Sequence, residues 1–184
     1  MSLKNAFLHF KTITHHRHLV MRGCFKVGLY KQGLLHDLSK YSWTEFRIGA
    51  KYYQGTRSPN NEEREETGLS TAWLHHKGRN KHHYEYWIDY DINSKSGECP
   101  LTGMKMPVNY VVEMFIDRLS ASKNYMGDKY GDDSALKYYL KGHDHYIIHP
   151  ESDELLRKLL EMNAEKGEKE TFAYIRKYVL KNKK

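Results

Sequence analysis

Cysteine is scarce in this chain of 184 residues: Cys24 and Cys99 are the whole complement. They stand far apart and form no Cys-x-x-Cys pair, which argues against a zinc ribbon and against a disulfide framework. Cys24 lies in an apolar helical run and reads as core, while Cys99 precedes Pro100 in a loop-like stretch and reads as a bystander. Long apolar runs are missing too, since none approaches the roughly eighteen residues of a membrane span. The start, Met1-Ser2-Leu3-Lys4-Asn5, has no charged region, apolar run and small-residue cleavage site in succession. A signal peptide is therefore not expected, and the chain reads as a soluble cytoplasmic protein with no membrane partner. Internal repeats and low-complexity tracts are also absent.

What is present suits one globular domain long enough to bury a core. Apolar residues make up 39% and charged residues 29%, within the globular range. The net charge of +7 and the pI near 9.2 point to an anionic partner, small or nucleic. The charge is spread along the chain, and its densest basic run, 181–184, is a terminal tail of the kind usually solvated.

The apolar spacing is helical throughout. Residues 3–29 predict one long helix, or two with a kink near Gly23; Gly33 breaks the pattern and 34–39 begins a second helix. Ser42 and Glu45 form a Ser-x-x-Glu capping arrangement for a third helix running to about Tyr53. Residues 55–68 are polar and turn-rich, 70–78 predict a helix, and 89–106 read as a loop. Pro107 starts a helix through about Met126 whose broad apolar face includes Val111, Val112, Phe115, Ile116 and Leu119. Segments 132–140, 152–165 and 169–180 complete the set. No alternating strand pattern is evident. The expectation is an all-α single domain over 1–184, with a core of about 3–126 and C-terminal helices of about 132–182 packed on it.

Nine of the twelve histidines fall between His9 and His83, grouped as His15-His16-x-His18, His36-Asp37, His75-His76 and His82-His83. An isolated histidine is more often a cap, a core residue or a surface residue. Grouped on helices beside an aspartate, imidazoles suit zinc, iron, manganese or nickel better than calcium. Asp117 lies among Phe115, Ile116 and Leu119, where a carboxylate is costly unless it is paired or coordinates a metal. Pairing with Arg118 is the plain alternative. His143, His145 and His149 read as part of a solvated turn.

The stretch Leu34-Leu35-His36-Asp37-Leu38-Ser39-Lys40 resembles the signature of the HD superfamily, in which His-Asp is followed by a small residue and Lys. That superfamily's order is His, His-Asp, sometimes two more His, then a distant Asp. His16 (or His15 or His18), His36-Asp37, His76, His82 and Asp117 follow it here. More narrowly, 16–20, 36–40 with 45–46, 72–76, 80–87, 106–107 and 113–117 resemble a bacterial and phage HD-like family of unknown function. The likeness covers roughly 7–126. The interval from His16 to His36 is shorter than in many HD enzymes.

The resemblance implies an HD-like helical bundle in which His16, His36, Asp37 and Asp117 hold one divalent transition-metal ion. His76 and His82 would support a second ion bridged through Asp37, with His75 or His83 as substitutes. It further implies a phosphohydrolase acting on a small phosphorylated anion, possibly a nucleotide, with Asp37 and Lys40 as the catalytic pair. Lys40, Arg79, Asn80 and Arg118 are the expected substrate contacts, and Asn80, Glu85 and Glu113 are candidates for orienting the ligand histidines. Two other readings compete. Di-iron oxygenases of a similar ligand order exist on this fold. A non-enzymatic nucleic-acid binder, using basic residues and some of the fifteen tyrosines as stacking surfaces, is less favoured.

Overall fold

The computed structural model describes residues 2–181, so most of the basic run 181–184 lies outside the described residues. Among them the fold is helical, with one small hairpin. Helix α1 (Leu3–Val27) is capped by Ser2, whose hydroxyl accepts from the Asn5 amide at 3.1 Å. It buries His9, Ile13, His16, Val20, Gly23, Cys24 and Val27, one stripe at three- and four-residue spacing. No kink occurs at Gly23. That residue marks the close crossing of α1 over α6 (Val108–Met126), where an added Cβ would stand 2.5 Å from Ile116 Cγ2.

The chain breaks at Gly28 (φ 86°), not at the expected Gly33, because only glycine takes this left-handed α1 terminus without strain. Gly33 instead lies inside the short helix α2 (Tyr30–Leu35). The helix expected over 34–39 is also corrected. α2 ends before His36, Asp37 turns left-handed (φ 56°, ψ 22°), and a 3₁₀ turn follows over Leu38–Tyr41. Helix α3 (Trp43–Lys51) starts at Ser42 as expected and ends two residues early.

The polar stretch 55–68 contains a helix the apolar pattern did not signal, α4 (Pro59–Thr67). Its one buried side chain is a carboxylate: Glu63 accepts from Ser70 Oγ at 2.6 Å and from the Thr71 amide at 3.1 Å. It thereby satisfies the N-terminus of α5 (Thr71–Lys77), so α4 is docked by hydrogen bonds rather than by an apolar face. Residues 89–106, read as loop, carry an antiparallel pair, β1 (Ile88–Tyr90) and β2 (Leu101–Gly103), with Asp89 opposite Thr102.

Helix α6 is the central element and begins just after Pro107, as expected. Val111, Val112, Phe115, Ile116 and Leu119 join Val20 and Cys24 of α1 in one apolar cluster. The same cluster takes Tyr139 from α7 (Ser134–Gly142) and Leu156, Leu159, Leu160 and Phe172 from α8 (Pro150–Tyr174). Each such fully buried side chain contributes about 1.5–3 kcal/mol. Within α8, Gly167 (φ 76°) interrupts the helix, which separates the segments expected at 152–165 and 169–180. No described helix is long and apolar enough to cross a membrane.

Candidate metal centre

Four elements bring the ionisable groups to one point. α1 supplies His16, the α2–3₁₀ junction supplies His36 and Asp37, α5 and the turn after it supply His76, His82 and His83, and α6 supplies Asp117. The left-handed Asp37 backbone lets two adjacent residues aim at one centre, which successive residues of a continuous helix, about 100° apart, cannot easily do.

Three groups of candidate ligand atoms result: two share Asp37, and the third joins His36, His82 and Glu113. One atom from each of His16, His36, Asp37 and Asp117 lies within 4.8 Å of the others, and the same holds for Asp37, His76, His82 and His83. Asp37 Oδ2 faces His36 Nε2 at 3.3 Å and His16 Nε2 at 3.6 Å; its Oδ1 faces His76 Nε2 at 3.3 Å and His82 Nε2 at 3.5 Å. Asp117 Oδ1 lies 2.9 Å from His16 Nε2 and 3.5 Å from His36 Nε2. The expected alternative, an Asp117–Arg118 pair, is not what forms. Arg118 turns to the rings of Tyr139 and Tyr146 instead.

Several of the atoms that converge are left without hydrogen bonds. His16 Nε2, His36 Nε2, His82 Nε2 and both Asp37 oxygens account for five of the eleven buried, unpartnered side-chain atoms among the described residues. Burying such groups without partners costs several kcal/mol, and coordination to a cation would satisfy all five. The opposite ring nitrogens are engaged. Nδ1 of His36 donates to Glu113 Oε1 at 2.9 Å, and Nδ1 of His76 donates to Glu45 Oε2 at 2.9 Å. That arrangement fixes both rings and points their Nε2 atoms toward the centre, where Nε2 of His76 meets Nε2 of His83 at 2.9 Å.

Charge balance at the centre follows from the same contacts. Burial pushes the Asp37 carboxyl up, but His36, Lys40 and His76 outweigh it and hold the group well below the usual range. Asp117 is held down in the same way, against burial, by His16 and His36. Burial lowers His76, and with help from His82 and His76 it lowers His83 much further, leaving both neutral as ligation requires. Lys40 Nζ sits 2.6 Å from Asp37 Oδ2, an ion pair without hydrogen-bond geometry.

The alternatives among adjacent histidines are separated by direction. His16 faces the centre, whereas His15 is exposed against Asn124 and His18 is exposed. His76 faces it, whereas His75 turns to Glu45 at 2.6 Å. His82 and His83 both reach it, with His83 Nε2 only 2.9 Å from His76 Nε2. Far from this centre, His143 pairs with Asp153 at 2.8 Å, and His149 caps α8.

A cavity of about 550 Å³ opens from the centre. His16, His76, His83 and Asp117 border it, together with Lys40 and Arg118 and the residues leading into α4, Thr56 to Asn61. Arg79 and Asn80, expected as substrate contacts, do not border it. They border a separate cavity of about 390 Å³. Asn80 is tied down by bonds to Ser39 Oγ and the His76 carbonyl, both 2.8 Å, so it braces the turn. Glu85 makes no hydrogen bond or ion pair with a histidine among the described residues, and its buried Oε2 has no partner. The brace the sequence did not disclose is Glu45, which reads there only as a helix-capping residue.

No curated protein and no solved structure matches the chain. A family model does match residues 5–162, a stretch that includes every ligand candidate named above, and it is described as a family of unknown function, DUF5662. The chain belongs to the DUF5662 family.

Proposed function

We propose that the chain is a metal-dependent phosphohydrolase of the HD type, acting on a small phosphoester. The observation that carries the reading is the convergence of five buried, unpartnered ligand atoms on two sets sharing Asp37, beside a cavity bordered by Lys40 and Arg118. Divalent ions held there supply Lewis acidity toward water and toward a phosphoryl oxygen. Asp37 bridges the two sets. Lys40 pairs with Asp37 and borders the cavity, where its ammonium would bind a phosphoryl oxygen. Arg118 stands over Tyr146 with its buried Nε unpartnered, and offers the fork geometry that suits phosphate oxygens. The three imidazoles of the second set support a competing reading, a di-iron oxygen-activating protein.

Protein loaded separately with Mn²⁺, Fe²⁺, Ni²⁺ and Zn²⁺ is to be assayed on p-nitrophenyl phosphate, its diester and nucleoside phosphates. Turnover is expected in at least one loaded form, removed by chelator, restored by the ion and lowered about 100-fold or more by Asp117→Asn. No turnover in any loaded form would contradict the hydrolase, and oxygen consumption by the iron form alone would establish the competitor.

A further inference from the structure

Glu113 stands between the two ligand sets. Its Oε1 accepts from Nδ1 of His36 at 2.9 Å and lies 3.2 Å from Nδ1 of His82. His36 belongs to the set with His16 and Asp117; His82 belongs to the set with His76 and His83. The two rings lie 4.4 Å apart, tilted by 34°. The other oxygen, Oε2, accepts from Gln32 Nε2 at 2.7 Å, and that same Nε2 also donates to the Asn109 carbonyl at 3.0 Å. Glu113 is 4% exposed and lies one helical turn before Asp117 on α6. Glu45 provides the contrast. Its oxygens serve His76 and His75, and only His76 faces the centre.

We propose that Glu113 is a shared brace coupling the two metal subsites, a positioning residue through which order at one is passed to the other. The proposal rests on the metal-centre reading above. A carboxylate behind an imidazole fixes its tautomer and rotamer and raises the basicity of the ligating nitrogen. An ion drawing on His36 Nε2 strengthens the Nδ1–H bond to Glu113 and immobilises the carboxylate. His82 then meets an acceptor already in place, and loses less side-chain freedom when the second ion enters. Gln32, fixed to α6 through Asn109, keeps the carboxylate from rotating away.

The test is a titration of Co²⁺ into the metal-free full chain, followed by heat and by visible absorption, for wild type, Glu113→Gln and Glu45→Gln. Wild type is expected to take up two ions. Glu113→Gln is expected to weaken both steps about 10–100-fold and to alter the absorption of both bound ions. Glu45→Gln is expected to weaken one step and leave the other unchanged. Gln32→Leu, which loosens the carboxylate without touching a histidine, is expected to weaken both steps more mildly; it decides the matter if Glu113→Gln does not fold. A folded Glu113→Gln or Gln32→Leu that affects a single step overturns the shared brace while leaving the metal centre standing. Failure of wild type to bind Co²⁺ overturns both.

Discussion

Asp37 does three things at once. It turns the chain through a left-handed backbone, faces four histidine nitrogens with its two oxygens, and neutralises Lys40. Aspartate tolerates a left-handed backbone better than most residues, so the requirement of the turn and that of the site coincide at one position. His9 shows a different balance. It packs edge-on to Tyr53 and against Gly49, with burial and then Lys40 lowering it to about 4. The unfolded chain protonates this imidazole near its ordinary 6.5 and the folded chain does not. Its contribution is therefore fully present above that value and is lost as pH falls toward 4. Urea unfolding of the metal-free protein is expected to show wild type losing about 2 kcal/mol relative to His9→Gln between about pH 7.5 and pH 5. Parallel pH profiles for the two proteins would contradict the assignment.

Among the elements, the crossing of α1 over α6 positions the first ligand set, because His16 and Asp117 lie on these two helices. A methyl group at Gly23 would collide with Ile116. Gly23→Ala is expected to cost about 1–3 kcal/mol in stability, and Ile116→Ala in the same chain to recover part of it. Thermal unfolding checks this, and a Gly23→Ala protein as stable as wild type would show that the crossing has room. The long elements were legible in the sequence from an apolar stripe, as in α1, sharpened by a start signal in α3 from Ser42 and in α6 after Pro107. Helix α4 was not, because it is held by Glu63 and carries no stripe; nor was the hairpin, whose strands are three residues each. The residue types that gather at the centre could be read from order and grouping. The choice between neighbours such as His75 and His76 depends on which ring turns inward, and that is set by Glu45 and Glu113 from distant segments. Where Arg79 and Asn80 lie was not legible for a related reason: the helix stops at Lys77, and the turn after it places them on the second cavity, beside His36 and His82.

At the scale of the whole molecule, α6 divides the interior. One side packs against α7 and α8 through apolar residues; the other presents Glu113 and Asp117 to the histidines. The apolar side sustains the fold, while the polar side faces buried, unpartnered histidine and aspartate atoms that a cation could satisfy. Binding of an ion to the folded chain alone would link occupancy to stability, and an ion at 100 times its dissociation constant would add about 2.7 kcal/mol. The most direct measurement is elemental analysis of protein purified without a histidine tag or chelator, beside the variant His36→Gln/Asp37→Asn, which keeps a residue tolerant of the left-handed turn. One or two equivalents of a transition metal in wild type, absent from a variant that keeps its helical circular dichroism, is the predicted result. Wild type that holds no metal, even after reconstitution with Mn²⁺, Fe²⁺, Ni²⁺ and Zn²⁺, would contradict it and leave the buried histidines as structural groups.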